Sequence, residues 1–128
     1  MGSRPSILEN IRILVVEDNS DIRLLIARFL AQQGAQVFAA KNAFEGLRLV
    51  REIRPNVVVP DINMPERSGL EFLADIRTLS KNRGDAVPVI AITAYAIDDA
   101  ILRDAGFHRV LRKPFTPDQL LATIDLVL

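Results

Sequence analysis

The chain has 128 residues, of which 49% are hydrophobic and 25% charged, the composition of one ordinary globular domain with a single core. Sixteen Lys and Arg balance sixteen Asp and Glu, so no bulk field draws the protein to nucleic acid or to an anionic membrane, and any charged site is local. The absence of Cys excludes disulfides, thiolate metal sites and Cys nucleophiles.

No apolar run approaches the ~20 residues of a membrane span, and the N-terminus carries no signal-peptide pattern. A cytoplasmic location is expected. Residues 1–10 read as a tail, with Met1-Gly2-Ser3 resembling a cloning remnant, and the fold is assigned to residues 11–128.

The run Ile11 to Val16 predicts the first strand. Ile22, Leu25, Ile26, Phe29 and Leu30 then fall on one helical face, closed by Gly34 at the position after the C-cap. Gln36 to Ala39 predicts a short second strand. Ala43, Leu47, Val50 and Ile53 mark a second helix that Pro55 ends. Val57 to Asp61 predicts the third strand. Ser68 with Glu71 three residues on forms a capping box, and the helix stripe behind it is Leu70 or Phe72, Leu73, Ile76 and Leu79. A polar loop from Ser80 to Asp85 leads to a fourth strand, Val87 to Ala94. A short helix around Asp98 to Asp104 ends at Gly106, and a fifth strand covers Arg109 to Arg112. Thr116 caps the last helix, with Pro117 at its first position and Gln119 at its third. That helix has Leu120 or Leu121, Ile124, Val127 and Leu128 as its buried stripe.

Strands that are apolar almost throughout have both sheet faces covered, which implies a parallel sheet. Right-handed crossovers then give an α/β fold with an open, doubly wound sheet. The functional crevice of such a sheet lies outside the strand C-termini. Glu17 and Asp18 follow the first strand, and Asp61 ends the third. Thr93 lies near the end of the fourth, and Lys113-Pro114 follow the fifth. Like-charge pairs of carboxylates near 4 Å each cost about 4 kcal/mol at an effective dielectric of about 20. A divalent cation removes that cost, and oxygen ligands without Cys or a nearby His suit Mg²⁺, with Mn²⁺ as the alternative. An ammonium and a hydroxyl beside such an ion suit phosphoryl oxygens. Asp61, alone between the acid pair and the basic side, is then the best nucleophile toward phosphorus.

Leu14-Val15-Val16-Glu17-Asp18-Asn19, Asp61-Ile62-Asn63-Met64-Pro65 with Gly69, Ile92-Thr93-Ala94 and Lys113-Pro114-Phe115 together resemble the motifs of response-regulator receiver domains. The resemblance runs from about Ile11 to Leu128. It implies a flavodoxin-like sheet of order 2-1-3-4-5 with five helices, and a role in two-component or phosphorelay signalling. Asp61 would be the phosphoacceptor. Asp18 would bind Mg²⁺ directly, Glu17 mostly through water, and Asn63 through its backbone carbonyl. Lys113 would pair with the phosphoryl group, across a cis Lys113-Pro114 bond. Thr93 would turn toward the phosphoryl oxygen. The donor would be a phosphohistidine on a histidine kinase or a histidine phosphotransfer protein, and homodimerisation through the last two helices is an open expectation. The domain would promote its own phosphorylation and dephosphorylation rather than turn over a substrate.

Two residues depart from the resembled pattern. Pro60 stands before the acceptor, where an N–H is usual, and Val110 stands where many receivers carry a switch aromatic. The latter favours a kinase-linked or phosphorelay role. The segment from Thr93 to Gly106 is short, so the fourth helix is expected to be truncated or displaced. A receiver-like binding scaffold with impaired phosphorylation is the competing reading. A dehalogenase-like phosphatase is disfavoured, because it needs a second Asp where this chain has Asn63. Tyr95 could flank the pocket or simply pack, and His108 and the arginines at 103, 109 and 112 read as surface residues.

Overall fold

The computed structural model describes residues 7–83, 86–94 and 96–128. Strand β1 (Arg12–Val16) lies between β2 (Gln36–Ala40) and β3 (Val57–Pro60), parallel to both. Strands β4 (Ile90–Thr93) and β5 (Arg109–Arg112) form a second parallel pair. Single bridges from Val58 to Val89 and from Asp61 to Ile92 join β3 to β4, so the order is 2-1-3-4-5, as expected. Alternation along each strand divides the core. Leu14, Val16 and Val58 face one layer with Phe72, Leu73, Ile76 and Leu102. Ile13, Val15, Val57, Val59, Ile90 and Ile92 face the other with Ile26, Leu30, Leu120 and Ile124. Helices α2 (Ala43–Ile53), α3 (Gly69–Arg83) and α4 (Asp99–Ala105) thus cover one face, and α1 (Ser20–Gln32) and α5 (Pro117–Asp125) the other.

The helix ends follow the sequence signals. Thr116 and Gln119 close a reciprocal capping box on α5, and Ser68 and Glu71 exchange bonds of 3.3 and 3.2 Å at the start of α3. Gly34 and Gly106 take positive φ, 97° and 119°, the left-handed conformation that ends α1 and α4. The fourth helix is short, seven residues, as the sequence led one to expect.

Several expectations are corrected. Leu8 is fully buried against the α1 layer, and its N–H donates to the Gln33 carbonyl at 2.9 Å. Burying it contributes about 2 kcal/mol, so the fold takes in residues assigned to the tail. Strand β4 begins at Ile90 rather than Val87, because Pro88 has no N–H to offer a ladder. Helix α3 continues to Arg83, since nothing from Ser80 to Arg83 breaks a helix before Gly84. Leu25 is 68% exposed and Leu128 51%; neither belongs to its helix's buried stripe. Tyr95 lies outside the described residues.

Pro60 remains in β3, paired with Val16. Asp61 N–H still reaches the Val16 carbonyl at 2.9 Å on the β1 side. Toward β4, Val58 N–H donates to Pro88 O at 3.0 Å and Ile62 N–H to Ile92 O at 2.9 Å. The intervening rung of that series would run from residue 60 to Ile90, and Pro60 has no N–H to make it. This is why β3 and β4 meet through two separate bridges instead of a continuous ladder. Asp61 is pinned on both sides of the gap, so the proline interrupts the sheet without releasing the carboxylate.

Candidate functional site

The C-terminal ends of β1, β3, β4 and β5 bring Glu17, Asp18, Asp61, Thr93 and Lys113 to one edge of the sheet. Glu17, Asp61 and Thr93 are buried, while Asp18 is exposed. One carboxylate oxygen from each of Glu17, Asp18 and Asp61 lies within 4.8 Å of the others. The acid pair is not spent on capping α1. Asn19 does that, its side chain accepting from Asp21 N–H and Ile22 N–H at 3.0 Å each, which leaves both carboxylates to face Asp61.

Lys113 Nζ donates to Glu17 Oε1 at 2.7 Å and to Asp61 Oδ2 at 2.9 Å. Asp61 Oδ1 accepts from Asn63 N–H at 3.1 Å. The acceptor carboxylate is therefore oriented by one donor on each oxygen. Burial raises the Glu17 carboxyl to about 7, with the Lys113 hydrogen bond opposing the shift and the Asp61 charge adding to it. Burial alone would lower the Lys113 ammonium, but its hydrogen bonds to Glu17 and Asp61 outweigh that and hold it above the ordinary lysine value. The site thus carries more acid than one ammonium can compensate. Three clustered oxygen donors without Cys or His fit a hard divalent cation.

Thr93 closes β4 one residue beyond the Asp61–Ile92 bridge. Its carbonyl accepts the Lys113 N–H at 2.9 Å, so the two residues are set relative to each other through the backbone. The Lys113-Pro114 bond is cis, as the resemblance implied. The β3–α3 loop closes tightly over this edge. A Cβ at Gly69 would sit 2.5 Å from the Asp61 carbonyl and 2.8 Å from Ile62 Cα, so only glycine lets the helix start so close to the acceptor's backbone.

Comparison with known proteins agrees with this geometry. Residues 13–125 match the family model of the response regulator receiver domain. The chain belongs to the response regulator receiver domain family. An uncharacterised 14.6 kDa protein of Leptolyngbya boryana is 40% identical over 121 residues, 92% of this chain and 90% of that one. A probable chemotaxis protein CheY of Rhizobium etli is 35% identical over 126 residues, 95% of each chain. The solved chemotaxis protein CheY4 of Vibrio cholerae superposes with a TM-score of 0.84 at 29% identity, covering 92% of this chain and 98% of its own.

Among the described residues, the receiver domain brings Glu17, Asp18, Asp61, Asn63, Thr93 and Lys113 to one edge of the sheet. The sequence reading missed three arginines that serve the site or its surroundings. Arg23 Nη1 donates to the Glu17 carbonyl at 2.8 Å. Arg67 grips Asp75 with two bonds of 2.7 Å. Arg112, read as scattered surface charge, bonds the Ile97 carbonyl and Asp99 and so ties β5 to the start of α4. Only the Arg67–Glu71 spacing leaves a local signal; the other pairings join residues that the chain alone does not bring together. An apolar groove of about 730 Å³ between α1 and α5, walled by Ile22, Leu25, Phe29, Phe115 and Leu120, opens beside Lys113.

Proposed function

We propose that Asp61 accepts a phosphoryl group from a phosphohistidine of a histidine kinase or histidine phosphotransfer protein, and that this switches the interactions of a cytoplasmic signalling domain whose fold takes in Leu8 as well as residues 11–128. The observation that carries the reading is the Lys113 ammonium held on buried Asp61 within a cluster of three carboxylates. An Asp61 carboxylate oxygen would attack phosphorus in line, and the phosphorus–nitrogen bond would break as the histidine leaves. Lys113 supplies positive charge for the phosphoryl oxygens. Thr93 supplies a hydroxyl for one of them, and Asn63 N–H keeps the acceptor carboxylate turned toward the opening. Asp18, Asp61, the Asn63 carbonyl and, through water, Glu17 would hold Mg²⁺, or Mn²⁺ in its place. Bound there, the ion neutralises charge that builds on the phosphoryl oxygens.

The same residues would position water for loss of the group, so the domain promotes both its phosphorylation and its dephosphorylation without being a turnover enzyme. Apolar walls next to Lys113 suit the docking of a donor protein. Incubation with acetyl phosphate and Mg²⁺ should add the mass of one phosphoryl group to the wild type and none to Asp61→Asn. No adduct from any donor would sink the reading. A binding scaffold with impaired phosphorylation is the alternative, and failure to bind Mg²⁺ would select it.

A further inference from the structure

The loop from Asp61 to Gly69 is short and closely bonded. Ile62 O accepts both Met64 N–H at 3.2 Å and Gly69 N–H at 2.9 Å, while Ile62 N–H is committed to Ile92 O. At its far end the loop holds a residue in an unfavourable conformation. Glu66 has φ 69°, and Arg67 N–H donates back to Pro65 O at 2.7 Å. A three-residue turn with positive φ at its centre is the rare, strained form, and a glutamate has no glycine-like freedom to relieve it.

The turn aims Arg67 along α3. There its Nε and Nη2 each meet one Asp75 oxygen at 2.7 Å, and Nη1 meets Glu71 Oε2 at 3.2 Å. Most surface ion pairs contribute little, but a two-pronged guanidinium–carboxylate pair is the exception. Glu71 is also committed at its other oxygen, which accepts Ser68 N–H at 3.2 Å. The clamp, the helix cap and the strained turn therefore form one unit whose other end is the Asn63 N–H on Asp61 Oδ1.

We infer that Arg67 is a positioning residue for the Asp61 site: its fork on Asp75 holds the strained Glu66 turn, and the turn holds the loop that orients the acceptor carboxylate. This inference rests on the proposed role of Asp61. Arg67 touches neither the phosphoryl group nor the ion; it acts through the loop backbone.

Metal-free protein supplies the first test. Arg67→Ala should speed amide hydrogen exchange at Asn63 and Gly69. Mg²⁺ titration followed by NMR should then show affinity falling by about tenfold, the scale of losing an outer-shell partner. Asp75→Ala should behave alike, and the double variant should add nothing further. Arg67→Lys keeps the stem and the charge but cannot make the fork, so it should resemble Arg67→Ala and stands in if that variant fails to fold. Adding Glu66→Gly removes the strain and should restore most of the lost affinity. A lower melting temperature with exchange at Asn63 and Mg²⁺ affinity unchanged would overturn the inference and leave Arg67 a stabilising residue only. A wild type that takes neither Mg²⁺ nor a phosphoryl group would overturn the proposed function and the inference together.

Discussion

Asp61 is oriented by two donors from different parts of the chain, a lysine 52 positions away and an amide two positions away. That arrangement depends on close backbone approach at Gly69. The two nearest contacts a Cβ would make there are with backbone atoms, which cannot swing aside. Gly69→Ala should cost about 1–3 kcal/mol, the usual range for overpacking, and should slow phosphorylation; urea unfolding and acetyl phosphate kinetics read the two effects. His108 gives a separate test of residue-level electrostatics. Its Nδ1 accepts the Val89 N–H at 3.3 Å, which only the neutral ring can do. Burial, then the charges of Arg77 and Arg109, lower its pKa from 6.5. A histidine lowered on folding binds its proton better in the unfolded chain, so stability falls as pH drops below about 6.5. Glu17, raised to about 7, works oppositely across the interval from its ordinary value. The difference between wild type and His108→Gln isolates the histidine: the variant should lose less stability between neutral and mildly acidic pH, measured by urea midpoints.

At the scale of elements, the junction of β3 and β4 is the unusual feature. Pro60→Val would supply the missing N–H for the Ile90 carbonyl. A new buried hydrogen bond contributes about 0.5–1.5 kcal/mol, while losing proline's restriction of the unfolded chain gives back about 0.4–1 kcal/mol. The two are of similar size, so a net change of less than about 1 kcal/mol is expected. The new amide should exchange slowly in hydrogen-exchange NMR; a fast amide would show that the strands do not close over the gap. On the other edge of the sheet, Arg112 bonds the Ile97 carbonyl and Asp99, and Thr93 and Arg112 are register partners. With Val110 in place of an aromatic, this arginine is the observed link between the end of β5 and the start of α4.

For the whole molecule, two helical layers clamp a sheet whose one charged edge concentrates three carboxylates around a single ammonium. The unbalanced charge destabilises the metal-free fold, and a cation that binds only the folded state should stabilise it by mass action. At 100 times the dissociation constant the gain is about 2.7 kcal/mol. Mg²⁺ should therefore raise the melting temperature of the wild type, and Asp18→Ala, which removes the exposed carboxylate of the cluster, should abolish the rise. The α1–α5 groove opens beside this edge, so a partner seated there would lie next to Lys113.

The strand ends, the caps and the acceptor were legible in the chain because each depends on local chemistry. An apolar run stops at a carboxylate, Thr116 stands three residues before Gln119, and a proline follows a lysine. Continuous burial along β1 and β3 was equally readable, since both faces are covered. Leu8 was not legible, because its burial depends on Gln33 and the α1 layer rather than on its neighbours. Leu25 misled for the converse reason: it has helical spacing but faces the groove. The Arg23 and Arg112 contacts were invisible as well, since these side chains find their acceptors only after the elements pack, while Arg67 left only the Glu71 spacing as a signal. Sequence alone therefore determined which sheet the chain builds and which polar residues stand at its strand ends, through the order of apolar runs and polar ends. Only the tertiary structure decided that Lys113 reaches both Glu17 and Asp61, and that Pro60 breaks one rung without freeing Asp61. Those outcomes depend on which hydrogen-bond partners come within reach across the sheet, and distance along the chain does not encode that.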